Sequence, residues 1–562
     1  MDEQLKVDVA IVGGGLAALR AAIAAAEEGA SVAVVVKGML GRSGSSAMTT
    51  GGFAAVVEGL SEGDTPEIHA KDTLKAGAGV GDPELVQLIC EKAAEEVAGM
   101  QQIGGKFFRE PSGELYVEPS GEHAFARVLV PENHIGTDFT LPMAEYVKRL
   151  GITVLEQTMC LEVVAPDGQV EGIICSQWKE QRLLQITTPS VILCTGGSGH
   201  LFSFTSNPRD VTGDGYMLAY EAGAELRDME FIQFYPWRCI EPFDKARVSV
   251  QPPTFVKGGR LFNSAGERFM ERYDPQRIDG TTRDLAARGI YDQIRKGLAV
   301  RNGVLLDVSE MSEETFKRYN PKMYKALQAK KLQLYDTQFI IAPEAHYFMG
   351  GVRIDTFGRS TVEGLYAAGE TAGGIHGANR ANSNALPEIL VIAARAGRHA
   401  AAYAQEQERG SKPLHSKWQA KLQGSAQTEP STDYKAWMKK MRACMDQSLG
   451  IIRNKQDLVT GLLQAAQWRE QLLAAGPADP QSVREWFELA ALCQVGEMSL
   501  TAALARTESR GAHYREDFNE RSPEWEGVHI VVKRAAHGTD LSLRHNRKLE
   551  PAGKSSKKVV NS

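Results

Sequence analysis

The first 36 residues place apolar and polar positions in the order that is typical of a βαβ unit. Residues 7–12 form a short, β-branched apolar run, which predicts a buried parallel strand. Residues 16–28 are rich in alanine and favour a helix, and residues 31–36 form a second short apolar run. Because strand, helix and strand follow one another closely, we expect an α/β, Rossmann-like domain at this end of the chain.

The turn between the first strand and the helix reads G-x-G-x-x-A, with Gly13, Gly15 and Ala18 at the defining positions. Gly13 permits the tight turn, Gly15 lets the backbone approach a pyrophosphate, and Ala18 lets the helix lie close to the strand. The helix N-terminus offers free N–H groups to phosphates. This context favours a dinucleotide site over a turn without a ligand. Lys37 follows the second strand, where an acidic residue often binds ribose, so a simple NAD site is disfavoured.

The remaining pattern predicts further helices, strands and two polar segments. A polar, proline-containing linker is expected at 408–433, and the basic segment 544–558 is expected to be disordered because it is poor in apolar residues. Apolar runs predict strands at 153–155 and 190–193 and a hairpin of 161–164 with 172–175. Helices are expected at 64–105, with a favourable start at Asp82, and at 141–149, 389–397 and 435–504.

Composition and charge exclude several classes of protein. A chain of 562 residues with 43% hydrophobic and 24% charged residues is ordinary for a globular protein of roughly two to four domains. The net charge of −6 gives no reason to expect nucleic acid. The seven cysteines form no C-x-x-C pair, which argues against a zinc or iron–sulfur site within this chain and suits a reducing compartment. No run of 18 apolar residues and no secretory signal is present, so we expect a cytoplasmic protein whose membrane contact is only through partner subunits.

The loop after the second strand, residues 38–55, is rich in glycine and small hydroxyl residues. Its backbone can therefore lie against a flat ligand, and its position after that strand favours a ligand-binding loop over a merely flexible one. The hydroxyl groups that can donate to carbonyl and phosphate oxygens belong to Ser43, Ser45, Ser46, Thr49 and Thr50.

This loop, closed by Gly51-Gly52, resembles the flavin loop of the succinate dehydrogenase and fumarate reductase flavoproteins, to which L-aspartate oxidase is related. In the respiratory members a histidine in this loop carries FAD covalently. Counting back from Gly51, Ser45 takes that place, and residues 1–67 contain no histidine. The resemblance therefore implies FAD that is bound without a covalent link.

Further stretches are similar to the same family. Residues 194–199 resemble its second dinucleotide-contacting turn, and residues 211–215 match T-G-D-G, which opens a helix next to the flavin. Residues 364–388 form the most specific match. The fold and the resemblance together predict no metal site and the cofactor-binding residues Gly13, Gly15, Ala18, Lys37, Ser43, Ser45, Ser46, Thr50, Gly51, Gly52, Thr195, Gly196, Asp214, Glu370, Arg380, Ser383, Asn384 and Glu388.

The expected substrate site departs from the family at two places. Where the family usually has Q-F-H-P, with a histidine that touches the substrate carboxylate, this chain has Tyr235. Where the family has R-G-E, with an arginine that delivers a proton, this chain has Phe255, Val256 and Lys257. The usual proton donor is therefore absent, and the usual substrate is in doubt.

Other substrate-site positions are retained. His346 lies in a match to H-Y-x-M-G-G, although a lone histidine is more often structural, and the resemblance implies that Arg380 holds a substrate carboxylate. An arginine suits that task because its planar fork binds both oxygens. Arg283 matches a family arginine that supports the active site, but a structural ion pair of the kind that Asp284 offers explains it equally well. The candidates for the proton donor are Arg283, Lys257, Arg260 and Tyr235, and Arg283 ranks first because it lies inside a matched motif.

The resemblance covers roughly residues 5–525 and implies a divided FAD-binding domain, an inserted α+β capping domain and a C-terminal helical domain. The cap is expected to exclude water from a substrate that lies over the flavin ring. The expected order is the first part of the FAD-binding domain at 1–234, the cap at 235–350, the second part at 351–412, the helical domain at 413–525 and a tail at 526–562.

Three functions fit this sequence. The first is the flavoprotein subunit of a fumarate reductase or succinate dehydrogenase type of complex, which exchanges a hydride with a carboxylate-bearing substrate and passes electrons to an iron–sulfur partner. The second is a relative that acts on another acid or oxyanion, as L-aspartate oxidase and adenylylsulfate reductase do. The third is a flavin electron-transfer protein without substrate chemistry. Tyr235 and Phe255 weaken the first, whereas His346 and Arg380 weaken the third.

Overall fold

The computed structural model describes residues 3–243, 248–407, 414–416, 418, 433–535 and 538–546. Most of the expected linker at 408–433 and the expected tail beyond residue 546 lie outside the described residues. The strands, in chain order, are β1 (Glu3–Lys6), β2 (Val9–Val12), β3 (Val32–Val35), β4 (Phe53–Ala54), β5 (Val117–Glu118), β6 (Val128–Leu129), β7 (Thr153–Leu155), β8 (Met159–Val164), β9 (Gly172–Gln177), β10 (Arg182–Thr187), β11 (Ser190–Leu193), β12 (Leu226–Arg227), β13 (Ile232–Glu241), β14 (Arg260–Phe262), β15 (Val304–Asp307), β16 (Phe339–Phe348), β17 (Gly351–Arg353), β18 (Leu365–Ala367), β19 (Ala372–Gly373), β20 (Val528–Arg534) and β21 (Thr539–His545).

The helices alternate with these strands in the first two thirds of the chain and follow one another after it. In chain order they are α1 (Leu16–Glu27), α2 (Ser45–Met48), α3 (Pro66–Ala76), α4 (Pro83–Ile103), α5 (Thr137–Arg149), α6 (Asp214–Glu221), α7 (Pro253–Val256), α8 (Arg283–Arg295), α9 (Glu313–Tyr319), α10 (Pro321–Lys330), α11 (Ala385–Glu406), α12 (Tyr434–Ser448), α13 (Lys455–Ala475) and α14 (Val483–Ala505).

A five-stranded parallel sheet in the order β18-β11-β2-β3-β7 forms the centre of the molecule. All four residues of β2 are buried, because α1 and α11 cover the sheet. Short β-branched strands that are apolar on both faces suit this position. The predicted βαβ unit is confirmed, and the carboxyl ends of its strands meet at one edge, where α/β proteins bind their ligands.

A second sheet, in the order β1-β10-β9-β8, contains the predicted hairpin of β8 and β9, which pair antiparallel.

The predicted start of α4 is also confirmed, because the Asp82 carboxylate accepts from the backbone N–H of Glu84 at 3.1 Å. The helix expected at 141–149 begins earlier, at Thr137, and contains Pro142. The helix expected at 389–397 is longer at both ends.

The inserted segment has its own four-stranded sheet, β13-β16-β15-β14, and its own apolar core. Trp237 and Phe255 belong to this core, together with Phe316 and Phe339. A second packed layer with a separate core is what a capping domain requires. This α+β cap lies over the carboxyl edge of the central sheet, since residues of both units line one cavity there.

The C-terminal part packs α12 and α13 against α14, which is largely buried along its length. The chain then returns to the first domain, where β20 and β21 extend the sheet β19-β17-β12. The expectation that residues 544–558 are disordered is wrong for the first two of them. Arg544 and His545 end β21, which is held by backbone pairing with β20 and by an ion pair from Arg544 to Glu225. Among the described residues, no helix is long and apolar enough to cross a bilayer.

Candidate active site

A cavity of about 540 Å³ runs from the glycine turn after β2 to the underside of the cap. Three predicted cofactor residues, Ala18, Asn384 and Glu388, do not line it. Arg260, one of the four proton-donor candidates, does not line it either and forms an ion pair with Glu310. The predicted residues that the cavity brings together are Gly13, Gly15, Lys37, Ser43, Ser45, Ser46, Thr50, Gly51, Gly52, Thr195, Gly196, Asp214, Tyr235, Lys257, Arg283, His346, Glu370, Arg380 and Ser383.

The glycine turn at one end of the cavity fits a dinucleotide phosphate. Gly13 has φ of 136°, and a Cβ there would lie 2.1 Å from the Cys194 carbonyl oxygen, so no other residue fits. Helix α1 begins after Gly15, which provides no side-chain cap. The Leu16 N–H donates to Ser46 Oγ at 3.3 Å, and the rest of the first turn can face an anion. A Cβ at Gly196 would meet nothing within 4 Å, so the backbone there lies open.

Two buried hydroxyl groups along the cavity have no hydrogen-bond partner among the described residues. They are Ser45 Oγ, in the loop after β3, and Ser383 Oγ, in the turn before α11. Buried hydroxyls are normally hydrogen-bonded, so these two fit a polar ligand such as FAD.

Lys37 lies beside this end of the cavity and is already paired by the protein. Its Nζ lies 2.7 Å from Asp214 and 3.0 Å from Glu488, which connects α6 to α14. Burial alone would lower the pKa of Lys37, but the two carboxylates outweigh it and raise the pKa. The ammonium therefore stays charged and links the cofactor end of the cavity to the helical domain.

The polar residues at the start of α11 mostly form hydrogen bonds to other side chains of the protein. Glu388 accepts from the Tyr347 hydroxyl and the His376 ring, each at 2.7 Å. Asn384 contacts His69 at 2.9 Å and Thr73 at 2.7 Å. These two predicted cofactor residues thus face the protein, since their side-chain oxygens are used by other side chains.

Glu370 is the one carboxyl of the Ala-Gly-Glu turn that faces the cavity. It accepts from the backbone N–H of Phe348 at 3.0 Å. Burial raises the pKa of Glu370 to about 7, and the charge of Glu388 adds to this rise.

Arg380 lies at the cap end of the cavity and is 5% exposed. Its guanidinium lies 4.8 Å from the centroid of the Tyr347 ring, and its Nε has no partner among the described residues. Burial, and then the charge of Arg283, lower the pKa of Arg380 to about 10, so it remains a cation at neutral pH. An unpaired buried cation of this kind attracts an anion.

Arg283, the first residue of α8, is the second buried guanidinium at this end. Its Nη1 donates to Gln233 at 3.3 Å, its Nη2 donates to Asn382, and its Nε has no described partner. Asp284 instead pairs with Arg288. The ion pair that would have made Arg283 purely structural is therefore not formed.

His346 completes the cluster from β16. Its Nδ1 lies 2.8 Å from Ser206 Oγ. Burial, followed by the charges of Arg380 and Arg283, holds the pKa of His346 far below its usual range. The imidazole is therefore neutral and serves as a hydrogen-bonding group between two cations.

The two positions that depart from the family pattern are filled by aromatic packing. The Tyr235 hydroxyl donates to the Val250 carbonyl at 2.7 Å, and burial raises its pKa. The Phe255 ring lies 4.6 Å from the Trp237 ring, at 31°. Lys257 is exposed at the rim of the cavity, so only Arg283 among the four donor candidates is a buried cation in the cluster.

Sequence reasoning missed the neutral groups that hold Arg283 and His346 in place. They are Gln233, Asn382 and Ser206, and Glu122 lies beside them and accepts from the Asn382 backbone N–H at 3.1 Å. Gln233 stands in the Q-F-x-P motif, which could have identified it. Within the described ranges, no group of three or more histidine, cysteine or acidic residues could hold a metal ion.

Comparison with known proteins gives the family. Residues 8–386 match the model of the FAD binding domain, and residues 438–552 match that of the fumarate reductase flavoprotein C-terminus. One subunit of the fumarate reductase (CoM/CoB) of Methanothermobacter marburgensis is 33% identical over 98% of this chain and 98% of its own. The L-aspartate oxidase of Nostoc is 30% identical over 94% and 93% of the two chains.

Among solved structures, a FrdA variant of the quinol fumarate reductase of E. coli has a TM-score of 0.88 at 27% identity, covering 98% of this chain and 99% of its own. The architecture defines a FAD-dependent oxidoreductase with a divided FAD-binding domain, a cap and a C-terminal helical domain. The chain belongs to the flavoprotein family of fumarate reductase and succinate dehydrogenase, to which L-aspartate oxidase is related.

Proposed function

We propose that this chain is the FAD-binding subunit of a redox complex and exchanges a hydride with a substrate that bears a carboxylate or a similar anion. The observation that supports this most directly is the pair of buried guanidinium groups of Arg283 and Arg380. Neither has a carboxylate within ion-pair distance among the described residues, and each has an unpartnered Nε. Two uncompensated buried cations are costly unless an anion joins them.

FAD, when it is bound, supplies an acceptor or donor for a hydride next to this cluster. The glycine turn after β2, the loop of Ser43 to Gly52 and Ser383 would hold it, since their open backbone and unpartnered hydroxyls face the cavity. We propose that the link is non-covalent, because Ser45 stands where the respiratory members have their histidine.

The residues around the substrate have separable tasks in this proposal. Arg380 binds the carboxylate through its planar fork and draws electron density away from the reacting carbon. Neutral His346 completes the hydrogen bonding of that carboxylate. Arg283 transfers the second proton from its guanidinium, because Tyr235 already donates its proton to Val250 and Lys257 lies at the rim.

We further propose that electrons pass between this chain and an iron–sulfur partner. Relatives at 33% and 27% identity are named as parts of fumarate reductases, the second of them a quinol fumarate reductase. Purification from the native source should recover a second chain that contains an iron–sulfur cluster, detectable by metal analysis and electron paramagnetic resonance. A lone chain that is fully active with oxygen as acceptor would instead favour an oxidase.

The second candidate is a relative that acts on a different acid, as the L-aspartate oxidases of the family do by name. The aromatic pair of Trp237 and Phe255, in place of the usual donor, favours this candidate over a plain fumarate reductase. A flavin electron-transfer protein is the least favoured candidate, because such a protein has no need for two buried cations beside the flavin.

The test of the proposal is a flavin-bleaching screen of the purified, FAD-loaded protein. Reduced acids are added to the oxidised protein and oxidised acids to the reduced protein, while absorbance is recorded under anaerobic conditions. At least one acid should bleach or restore the flavin, and the Arg380→Ala variant should not respond at the same concentration. If no acid acts in either direction, electron transfer without substrate chemistry is favoured.

A further inference from the structure

The cavity that Arg283 and Arg380 line also includes exposed residues of the cap. We call this part the outer compartment and define it by Trp237, Val256, Lys257, Arg277 and Lys322, all of which line the same cavity as Arg380. Lys257 and Arg277 are exposed and Lys322 is partly buried, so the compartment forms the solvent side of the cavity.

Three cations of the outer compartment come from three separate segments of the cap. Lys257 follows α7, Arg277 precedes the turn at residues 278–280, and Lys322 is near the start of α10. None of the three forms an ion pair with any described carboxylate. Burial, and then the charge of Lys325, lower the pKa of Lys322.

The acidic residues that face this part of the cavity do not neutralise those cations. Glu344 lies 4.0 Å from Arg238, and Glu122 accepts from Ser120 and from the Asn382 backbone. Burial raises the pKa of Glu118 to about 7, against the opposing effect of Arg318, so this carboxyl is partly protonated near neutral pH. Asp274 is close enough to Arg277 for their charges to interact, so Lys257 and Lys322 contribute most of the positive charge of the rim.

An apolar wall contributes to the same compartment. Trp237 packs on Phe255, and Val256 is 68% exposed although it is apolar. An exposed valine beside a buried aromatic pair is a surface on which methylene groups would be removed from water. The cavity thus combines two buried cations, an apolar wall and cations at its exposed side, which suits a long molecule with an anion at each end.

We propose that the outer compartment binds a second anionic group of the substrate. The substrate is then an elongated acid, with one carboxylate at Arg380, an apolar middle on the Trp237 and Val256 wall, and a carboxylate or sulfonate at Lys257, Arg277 and Lys322. This inference rests on the proposed function, because it requires the first carboxylate to lie at Arg380.

The test is isothermal titration calorimetry of the FAD-loaded protein with two series of probes. One series is the α,ω-dicarboxylic acids from four to ten carbons, and the other is the monocarboxylic acids of the same lengths. Affinity should rise with chain length in both series, because methylene groups contact the apolar wall, but it should rise more steeply in the first. The longer diacids should bind roughly two- to fivefold more tightly than their monoacids for each rim contact. A four-carbon diacid should gain nothing from the rim.

Variants that remove one positive charge test whether the rim cations cause the tighter binding of the long diacids. Lys322→Met and Arg277→Met should each lower the affinity for the long diacids by roughly two- to fivefold and leave the monoacids unchanged. The matched controls are Lys325→Met on the same helix and Arg272→Met in the same segment as Arg277, neither of which lines the cavity. Both controls should bind all probes like the unmodified protein.

The outcomes separate this inference from the proposed function. If monoacids bind in a manner that Arg380→Ala abolishes, but the second carboxylate adds nothing at any length, the outer compartment is not an anion site and only this inference is wrong. Equal losses in Lys322→Met and Lys325→Met would also overturn it. If no acid binds and Arg380→Ala changes nothing, the proposed function is wrong as well.

Discussion

The guanidinium of Arg283 lies 5.2 Å from the centroid of the Tyr235 ring. The Tyr235 hydroxyl points to the Val250 carbonyl, at 2.7 Å. The residue that replaces the usual histidine therefore presents its ring face, and not a proton donor, to the neighbouring cation. A cation over an aromatic face is held by the ring quadrupole, so Tyr235 positions Arg283.

This relationship predicts opposite results for two substitutions. Tyr235→Phe keeps the ring and should change kcat less than threefold, while the lost hydrogen bond lowers the free energy of unfolding by about 1 kcal/mol. Arg283→Gln should lower kcat by roughly 100- to 10,000-fold, as expected for loss of a general acid. Steady-state kinetics and denaturant unfolding of both variants measure these effects. A large loss of kcat in Tyr235→Phe would assign the proton to the phenol instead.

Fumarate and succinate should be poor substrates compared with the true one. Tyr235 replaces the histidine that usually touches a substrate carboxylate, so a four-carbon diacid lacks one of its usual contacts. Phe255 occupies the place of the usual proton donor and packs on Trp237. The double variant Phe255→Arg with Tyr235→His should raise kcat/KM for fumarate above that of the unmodified protein. The single variant Val256→Arg is the control for added charge. Unmodified protein that already turns over fumarate faster than every other acid would contradict this prediction.

Local pattern predicted the central part of the fold well. The apolar runs of β2 and β3 and the alanine-rich α1 can be recognised from short stretches of sequence, because burial and helix propensity act within a few residues. The hairpin β20–β21 was not predicted, since β20 is held by pairing with β12, about three hundred positions earlier in the chain. The early start of α5 was missed because Pro142 lies inside the helix.

The site was predicted at the level of residue identity but not of orientation. Arg283, His346 and Arg380 do line one cavity. No sequence pattern shows, however, that Glu388 is used by Tyr347 and His376, or that Asn384 faces His69. These contacts join distant parts of the chain, so only the folded structure reveals them.

The flavin should be released when the protein is denatured. Ser45 stands in place of the linking histidine, and an alcohol forms no equivalent bond to the flavin. Acid precipitation should leave the yellow colour in the supernatant, where absorbance measures it. Flavin fluorescence that stays with the protein band in a denaturing gel would contradict this prediction.

Stability should fall in mild acid because of His69. Burial, and then the charge of His123, lower the pKa of His69 to about 3. The unfolded state takes up a proton below about pH 6.5 whereas the folded state does not, so stability is complete above that pH and is lost as the pH falls. Between pH 8 and pH 5, the titration of His69 lowers the free energy of unfolding by about 2 kcal/mol.

His69→Gln keeps a donor toward Asn384 but removes the titration. Its free energy of unfolding should therefore fall less between pH 8 and pH 5 than that of the unmodified protein, by about 2 kcal/mol. Urea unfolding at the two pH values measures the difference. His545→Gln, at an exposed histidine of β21, is the comparison. If the free energy of unfolding falls equally between pH 8 and pH 5 in His69→Gln and in the unmodified protein, His69 does not cause the loss of stability in acid.

In the proposed function, Arg380 holds the acid and not the cofactor. With the acid found in the flavin-bleaching screen, kcat/KM and bound FAD per chain are measured together in unmodified protein, Arg380→Lys and Arg380→Ala. Loss of a bidentate, charge-assisted contact should cost on the order of 2–4 kcal/mol in Arg380→Ala, or roughly 30- to 1,000-fold in kcat/KM. Arg380→Lys should be intermediate, and FAD content should be equal in all three. An unchanged kcat/KM in Arg380→Ala, or a loss that follows the loss of FAD, would contradict this role of Arg380.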